Sequence, residues 1–249
     1  LEEESVTGVL CAHHGIKGVL DEDFFDIGKE DKEELLALKH TPASAFGSVR
    51  YKLKNPDEND EDYRRILEVF KKYDVRYFFY NGGNDSMDTC DKISKYMQKS
   101  GYDINVIGIP KTIDNDLCGT DHCPGYGSAA KYIANSIMEV NRDAVIYGSP
   151  LVIVVEIMGR NAGWLAAASK LAEVGGYGAD LIYLPELPFS YEKFKSDVKK
   201  VTDRKKICVV AVSEGIRFES GKYVGDDGSM TDAFGPVSYT HLTLPTTSR

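Results

Sequence analysis

The sequence lacks the features that mark membrane, secreted or nucleic-acid-binding proteins. No apolar run approaches the ~20 residues that a membrane-spanning helix requires, and no secretory signal peptide is recognisable. The five cysteines are odd in number and scattered, which is typical of reduced thiols and not of a disulfide framework. Basic residues (30) are fewer than acidic residues (39), and the net charge of -9 disfavours nucleic acid as a partner. We therefore expect a soluble, cytoplasmic protein with neither a membrane nor a nucleic-acid partner.

The chain is long enough for one large or two medium domains, with 249 residues of which 42% are apolar. Apolar runs alternate with helical patterns along most of it. The Val- and Ile-rich runs lack a period of two, which indicates parallel strands covered on both faces. This pattern predicts an α/β fold, a doubly wound αβα sandwich. The predicted strands are 75–80, 104–109, 151–157, 181–184 and 207–212, and the predicted helices are 85–98, 128–142, 162–172 and 191–201.

A turn-rich segment at 123–127 marks the expected domain junction. We therefore expect two Rossmann-like domains, 1–124 and 125–235, with the active site between them. Residues 236–249 carry Thr and Pro in no periodic pattern, so we interpret them as a non-native linker tail.

Two polar clusters follow predicted strands and suggest phosphoryl transfer. The segment PKTIDND (110–116) combines a cation, a hydroxyl and carboxylates directly after a strand that ends before Pro110. The segment NGGNDS (81–86) comes after the preceding strand in the same way. Ligands of open α/β sheets bind at the carboxyl ends of the strands, so both clusters are candidates for one phosphate-handling site.

Together with FGSVR (46–50), VEIMGRNA (155–162) and SEG (213–215), these motifs resemble the phosphofructokinase family over Gly8 to Gly235. The variants GGNDS and PKTIDND resemble its pyrophosphate-dependent branch. The resemblance implies transfer of a phosphoryl group from pyrophosphate to the 1-hydroxyl of fructose 6-phosphate, giving fructose 1,6-bisphosphate and phosphate reversibly. It further implies Mg2+ as cofactor, a homo-oligomeric parent protein, pyrophosphate on 1–124 and fructose 6-phosphate on 125–235.

The resemblance assigns the catalytic roles to five residues. Asp114 is the candidate base, Thr112 offers a hydroxyl to the transferred group, and Lys111 neutralises pyrophosphate. Arg160 stabilises charge on the transferred group, and Asp85 repels the α-phosphate of ATP. Local sequence alone leaves simpler alternatives: a turn cap for Asp114, a solvated loop residue for Lys111, and a surface ion pair for Arg160.

The remaining expected contacts fall into three sets. Substrate binding is expected from Thr112, Ile113, Asp114, Met158, Gly159, Arg160 and Glu214. Donor binding is expected from Arg50, Gly82, Gly83, Asn84, Asp85 and Ser86. Mg2+ is expected to bind mainly pyrophosphate and water, with weak contributions from Asn84 and, through water, from Asp116. The alternative role of Glu214 is a surface ion pair.

Two other functions remain open. The first is an ATP-dependent 6-phosphofructokinase, against which Asp85 and Lys111 argue. The second is a non-catalytic regulatory subunit that binds phosphoesters, against which Asp114 argues. The family's glycine-rich GGxxPGxN loop and its later histidine-containing segment have no match here, so we expect a partial chain that is inactive and poorly soluble alone.

Overall fold

The computed structural model describes residues 6–225 and the backbone of residues 231–232 and 235–236. The chain forms two compact units, Leu1–Pro110 (the N-terminal unit) and Lys111–Arg249 (the C-terminal unit). Within residues 6–225 no helix is both long and apolar enough to cross a bilayer.

The units divide at Pro110, ahead of the junction expected at 124/125. Within the segment between these two points, Ile113 packs against the apolar core of the C-terminal unit. The Asn115 side chain binds backbone groups of Asp121 and Cys123, which holds the segment together. The assignment of donor and sugar phosphate to separate domains stays a prediction. The expected tail 236–249 lies outside the described residues, except for the backbone of residue 236.

The N-terminal unit contains a short antiparallel pair and a longer parallel pair of strands. β1 (Leu10–Ala12) pairs with β2 (Phe24–Asp26), and β3 (Tyr77–Gly82) pairs with β4 (Asn105–Pro110) in parallel, with Tyr77 opposite Asn105 and Gly82 opposite Pro110. The parallel pair confirms the predicted β-α-β winding of this region. The described elements are β1 Leu10–Ala12, α1 Ile16–Asp21, β2 Phe24–Asp26, α2 Lys32–Ala37, α3 Glu61–Lys72, β3 Tyr77–Gly82, α4 Asn84–Lys99 and β4 Asn105–Pro110, with 3-10 turns at Ile27–Lys29 and Leu38–His40.

The core of the N-terminal unit lies on one face of β3 and β4. Phe78 and Val106 contact a buried cluster that α1, α3 and α4 supply at helical spacing. The opposite face of the two strands is exposed within the described chain. That face carries Tyr77, Phe79, Ile107 and Ile109, which are 39–61% exposed.

An ion cluster joins α1 to α3. Glu22, at the end of α1, accepts hydrogen bonds from Arg65 (2.7 Å), Lys72 and the Tyr73 hydroxyl (3.1 Å). The hydrogen bonds from Lys72 and Arg65 are the main reason that the pKa of Glu22 is lowered to about 2.

The C-terminal unit is built on a three-stranded parallel sheet, in which β8 (Ile207–Ser213) lies between β5 (Leu151–Ile157) and β6 (Leu181–Tyr183). Two small pairs accompany it: β7 with β9, and β10 with β11. The described elements are α5 Tyr126–Ile146, β5 Leu151–Ile157, α6 Trp164–Ala168, β6 Leu181–Tyr183, β7 Pro188–Phe189, α7 Tyr191–Thr202, β8 Ile207–Ser213, β9 Arg217–Phe218, β10 Thr231–Asp232 and β11 Gly235–Pro236, with a 3-10 turn at Ser169–Gly175.

The two long strands of this sheet differ in burial. β8 is inaccessible from Cys208 to Ala211, as its unbroken apolar run predicts. β5 exposes Val152 and Val154, so the prediction of a fully buried strand is wrong there. The predicted helix 162–172 is also shorter than expected. It begins only at Trp164 and tightens into a 3-10 turn at Ser169, whose hydroxyl donates to a carbonyl within the helix (2.6 Å).

Candidate active site

In the N-terminal unit, the GGNDS segment forms the turn from β3 into α4. Gly82 ends the strand, Gly83 precedes the helix, and Asn84 and Asp85 lie exposed in the first helical turn. A helix amino terminus offers unpaired N–H groups and a positive dipole end, which suits an anionic ligand. Asp85 places a carboxylate at the same helix end, so its charge opposes an anion there.

The two glycines and Ser86 make this turn tight. A Cβ atom at Gly82 would overlap the Ser86 side chain, so the close approach requires glycine. Burial raises the pKa of the Tyr80 phenol, and hydrogen bonds from the Ile16 backbone and the Ser86 side chain oppose that rise. Ser86, which we predicted to bind the donor, therefore also ties α4 to β3.

The FGSVR segment contains a second turn. The Gly47 N–H donates to the Ser44 carbonyl (3.0 Å), and the Ser44 hydroxyl donates to the Gly47 carbonyl (2.6 Å). Gly47 has a φ of 76°, which is the left-handed region that favours glycine. Arg50 comes after this turn, exposed and outside any helix or strand.

In the C-terminal unit, the TIDND loop is held by its own polar side chains. The Asp114 N–H donates to the Thr112 hydroxyl oxygen (3.1 Å), so it is Thr112 and not Asp114 that caps the turn. Asn115 is buried with a φ of 60°. Its amide nitrogen donates to the Asp121 carbonyl (3.2 Å), and its amide oxygen accepts from the Cys123 N–H (2.8 Å). Asn115 thereby ties the TIDND loop to the segment 121–123.

Asp114 is the electrostatic centre of this loop. Burial is the largest cause that raises the pKa of its carboxyl, and the charges of Asp116 and Glu214 raise it further. Arg160 and Lys111 lower it. Three separate motifs thus bring charges close enough to influence one half-buried carboxyl. A carboxylate with a raised pKa suits general base catalysis near neutral pH.

The carboxyl ends of β5 and β8 bring the MGR and SEG motifs together. Because Ile157 lies opposite Ser213, the residues directly after both strands meet. The Gly159 N–H donates to Glu214 Oε1 (3.1 Å), and the Ser213 hydroxyl donates to the Gly159 carbonyl (2.6 Å). A Cβ at Gly215 would overlap the backbone of Arg160, so the two segments pack without a gap.

The predicted substrate-binding residues differ in how accessible they are to a ligand. Met158 and Arg160 are exposed, whereas Gly159 is buried. The Ile113 side chain packs against the unit's core, which leaves only its backbone for a ligand. Neither Arg160 nor Glu214 belongs to an ion pair among the described residues, so the surface-pair alternative has no support. Lys111 is exposed, yet its charge still reaches Asp114.

The loop has one feature that fits a hydrated cation. Asp116 Oδ1 is buried and has no hydrogen-bond partner among the described residues. Buried polar atoms are normally paired, and a carboxylate oxygen is a preferred ligand of Mg2+. No group of three or more His, Cys, Asp or Glu side chains within residues 6–225 is arranged to hold a metal by itself. The residues therefore fit a cation held by a carboxylate together with substrate oxygens.

Sequence reasoning missed Asn115 and Ser213, which shape the site without a predicted role. The signal for Asn115 was its place between two aspartates at the end of a strand, since asparagine tolerates the left-handed region and bonds nearby backbone. Ser213 carried a weaker signal, as a hydroxyl at the carboxyl end of the buried strand.

Comparison with known proteins agrees with this geometry. The family model described as phosphofructokinase matches residues 2–241. The chain is 47% identical over 236 residues to pyrophosphate–fructose 6-phosphate 1-phosphotransferase of Halomonas elongata, covering 94% of this chain and 56% of that protein. It is 49% identical over 230 residues to the enzyme of that name from Xanthomonas campestris, covering 91% and 55%.

The fold of this chain is also similar to that of a solved pyrophosphate-dependent phosphofructokinase. The crystal structure of pyrophosphate-dependent phosphofructokinase from Nitrosospira multiformis matches with a TM-score of 0.76 and 43% identity, over 89% of this chain and 55% of that one. This similarity confirms the predicted α/β class. The chain spans about half the length of the relatives it matches. Since the family match covers nearly the whole sequence, motifs included, the chain belongs to the phosphofructokinase family.

Proposed function

We propose that the whole protein transfers a phosphoryl group from pyrophosphate to the 1-hydroxyl of fructose 6-phosphate, reversibly. The observation that carries the proposal is the Asp114 carboxyl, whose pKa is raised by burial and by Asp116 and Glu214 while Arg160 and Lys111 lie near enough to oppose the shift. A base beside positive charge is what phosphoryl transfer to a hydroxyl needs. The names of the relatives at 47–49% identity support pyrophosphate as donor.

In the proposed reaction, Asp114 accepts the proton of the sugar 1-hydroxyl as that oxygen bonds to a phosphorus of pyrophosphate. The bond from this phosphorus to the bridging oxygen breaks, and orthophosphate leaves with the electron pair. Lys111 and Arg160 balance the negative charge that accumulates on the phosphate oxygens. The Thr112 oxygen already accepts from the Asp114 N–H, so the Thr112 hydroxyl proton can be donated to the transferred group.

Mg2+ fits this scheme, with Asp116 as its protein contact and Asn84 as the weaker amide candidate. The partnerless Asp116 Oδ1 supports the first assignment. Bound Mg2+ would neutralise charge on the phosphate oxygens. Asp116 would add a carboxylate of this chain, directly or through water, and pyrophosphate and water the other ligands.

Donor choice is proposed to depend on Asp85 and Lys111. Two like charges about 4 Å apart repel by about 4 kcal/mol at an effective dielectric near 20, and by about 1 kcal/mol in water. Asp85 is exposed at the start of α4, so the lower part of that range applies. Exclusion of an ATP α-phosphate by this carboxylate therefore corresponds to about a five- to thirtyfold effect.

The test is a coupled assay of the whole protein with pyrophosphate and with ATP in turn. We expect turnover with pyrophosphate and little with ATP. Asp85→Gly should weaken pyrophosphate use and admit some ATP, and the added Lys111→Gly should be needed for appreciable ATP turnover. Asp91→Asn is the matched control, because Asp91 is another exposed carboxylate on α4. Equal or greater turnover of the unaltered protein with ATP would refute the proposal.

The two other functions make different predictions in the same assay. An ATP-dependent 6-phosphofructokinase would turn over with ATP before any substitution. A non-catalytic regulatory subunit would bind phosphoesters without turnover, and Asp114→Asn would then change nothing. The homo-oligomeric state and the cytoplasmic location stay predictions.

A further inference from the structure

A turn near the start of the N-terminal unit, His13-His14-Gly15, contacts the FGSVR segment and Tyr80, the residue directly before NGGNDS. It lies between β1 and α1. The proposed mechanism gives this turn no role. Two independent sets of contacts connect it to FGSVR and to Tyr80.

The first set joins His14 to the FGSVR segment. The His14 N–H donates to the Phe46 carbonyl (2.8 Å). The imidazole of His14 lies over the open side of Gly47, where a Cβ atom would overlap Nδ1 and stand 2.8 Å from Cε1. Gly47 is therefore glycine for two reasons, its positive φ and the ring above it. Three residues later the segment reaches Arg50.

His13 backs the His14 ring. The two imidazoles stack with their centroids 4.0 Å apart and their planes 21° apart. His13 is held in turn by Asp23, at 3.1 Å from Nδ1 to Oδ2 and 3.0 Å from its backbone N–H to the Asp23 carbonyl. The Phe25 ring stands edge-on to His13 at 5.2 Å. The His14 ring is thus fixed between Gly47 and an anchored neighbour.

The second set joins the turn to Tyr80, the residue directly before NGGNDS. Gly15 has a φ of 63°, and a Cβ there would stand 3.8 Å from the Tyr80 ring. The turn therefore reaches one predicted donor segment through His14 and lies beside the start of the other through Gly15.

We propose that His14 is a positioning residue of the pyrophosphate site: its ring sets the conformation of the Phe46–Gly47 turn and thereby the placement of Arg50. His14 has a φ of 56°, a conformation in which histidine is enriched among non-glycine residues. In this conformation its ring lies against Gly47. The inference rests on the proposed function, because Arg50 matters only if the site takes an anionic donor.

The experiment measures steady-state kinetics and amide hydrogen exchange of the whole protein in four variants. His14→Asn tolerates the positive φ but lacks the ring. Gly47→Ala puts a methyl group into the ring, and the third variant combines both changes. His40→Asn is the control, since His40 is an exposed histidine of the same unit in a 3-10 turn away from these contacts.

We expect His14→Asn to raise the KM for pyrophosphate about fivefold or more, while the KM for fructose 6-phosphate stays within about twofold. Gly47→Ala should do at least as much. The double variant should be less impaired than the product of the single effects, because removal of the ring makes room for the methyl group. The Gly47 amide, which donates to the Ser44 carbonyl, should exchange at least about tenfold faster in His14→Asn and not in His40→Asn.

The outcomes separate this inference from the proposed function. If the unaltered protein shows no turnover with pyrophosphate, the proposed function fails and the exchange experiment alone decides the positioning role. Unchanged exchange of the Gly47 amide in His14→Asn overturns the inference whatever the activity. Equal increases in both KM values overturn it as well, because they mean general loss of structure. Multiplicative single effects also overturn it, because they mean that the ring and residue 47 act independently.

Discussion

The Asn115 side chain is the best place to perturb the candidate base without touching it. Asn115→Ala removes the acceptor of the Cys123 N–H and the donor to the Asp121 carbonyl, at 2.8 and 3.2 Å. Leaving a buried backbone group unsatisfied costs about 1–3 kcal/mol. Alanine at a φ of 60° adds about 1 kcal/mol, because its Cβ clashes in the left-handed region. We therefore expect the loop to lose about 2–4 kcal/mol of local stability.

The assay is amide hydrogen exchange at Cys123, together with kcat of the whole protein. A loss of 2–4 kcal/mol corresponds to roughly 30- to 1000-fold faster exchange if the loop opens locally. Asn115→Gly is the matched control, since it loses the same hydrogen bonds and relieves the positive φ. It should exchange about fivefold more slowly than the alanine variant. The kcat should fall in both variants because Asp114 is no longer held.

The reasoning fails if the exchange rate at Cys123 changes by less than about fivefold in both variants, because the side chain would then not hold the loop. The argument from backbone strain fails if the exchange rate at Cys123 is the same in Asn115→Gly and Asn115→Ala. That result would mean that backbone strain at residue 115 contributes nothing.

Two pH-dependent predictions concern other groups. Glu22 has a folded pKa of about 2, below its ordinary value of 4.5, so its contribution to stability is complete above about pH 4.5 and is lost as the pH falls toward 2. The difference in urea midpoint between the unaltered protein and Glu22→Gln should therefore shrink as the pH falls from 4.5 to 2. A constant difference would contradict the assignment. Glu214→Gln should lower the pKa of Asp114 and move the acid limb of the kcat/KM profile to lower pH, whereas Arg160→Gln should move it to higher pH. Shifts in the same direction for both variants would contradict the electrostatic account.

The positions of the main strands and helices could be predicted because their apolar runs are long and their polar motifs come directly after them. The residues after β5 and β8 meet because the two strands are paired in parallel and therefore end at one edge of a sheet. Asp114 follows β4, which belongs to the other sheet, so the strand rule does not predict the influence of Glu214 on the pKa of Asp114. The role of each residue in catalysis stays a prediction.

Other features depend on tertiary contacts that no local pattern encodes. The chain divides at Pro110, and Ile113 packs against the core of the C-terminal unit; a single apolar residue in a polar loop did not indicate which unit it would join. An apolar run also does not reveal whether one face of a strand or both are covered, as β5 demonstrates. The His14 ring over Gly47 joins residues 33 positions apart, which sequence spacing alone does not connect.

The order β5-β8-β6 has a consequence for how the C-terminal unit is made. β8 is the last of the three strands along the chain, yet it is the central one and pairs with both others. During synthesis, β5 and β6 therefore lack their pairing strand until residues 207–213 have been made. Unpaired strand edges of this kind invite association with other chains. The contact between Gly159 and Glu214 forms at the same late step, so the docking of this one strand both completes the sheet and joins the MGR and SEG motifs.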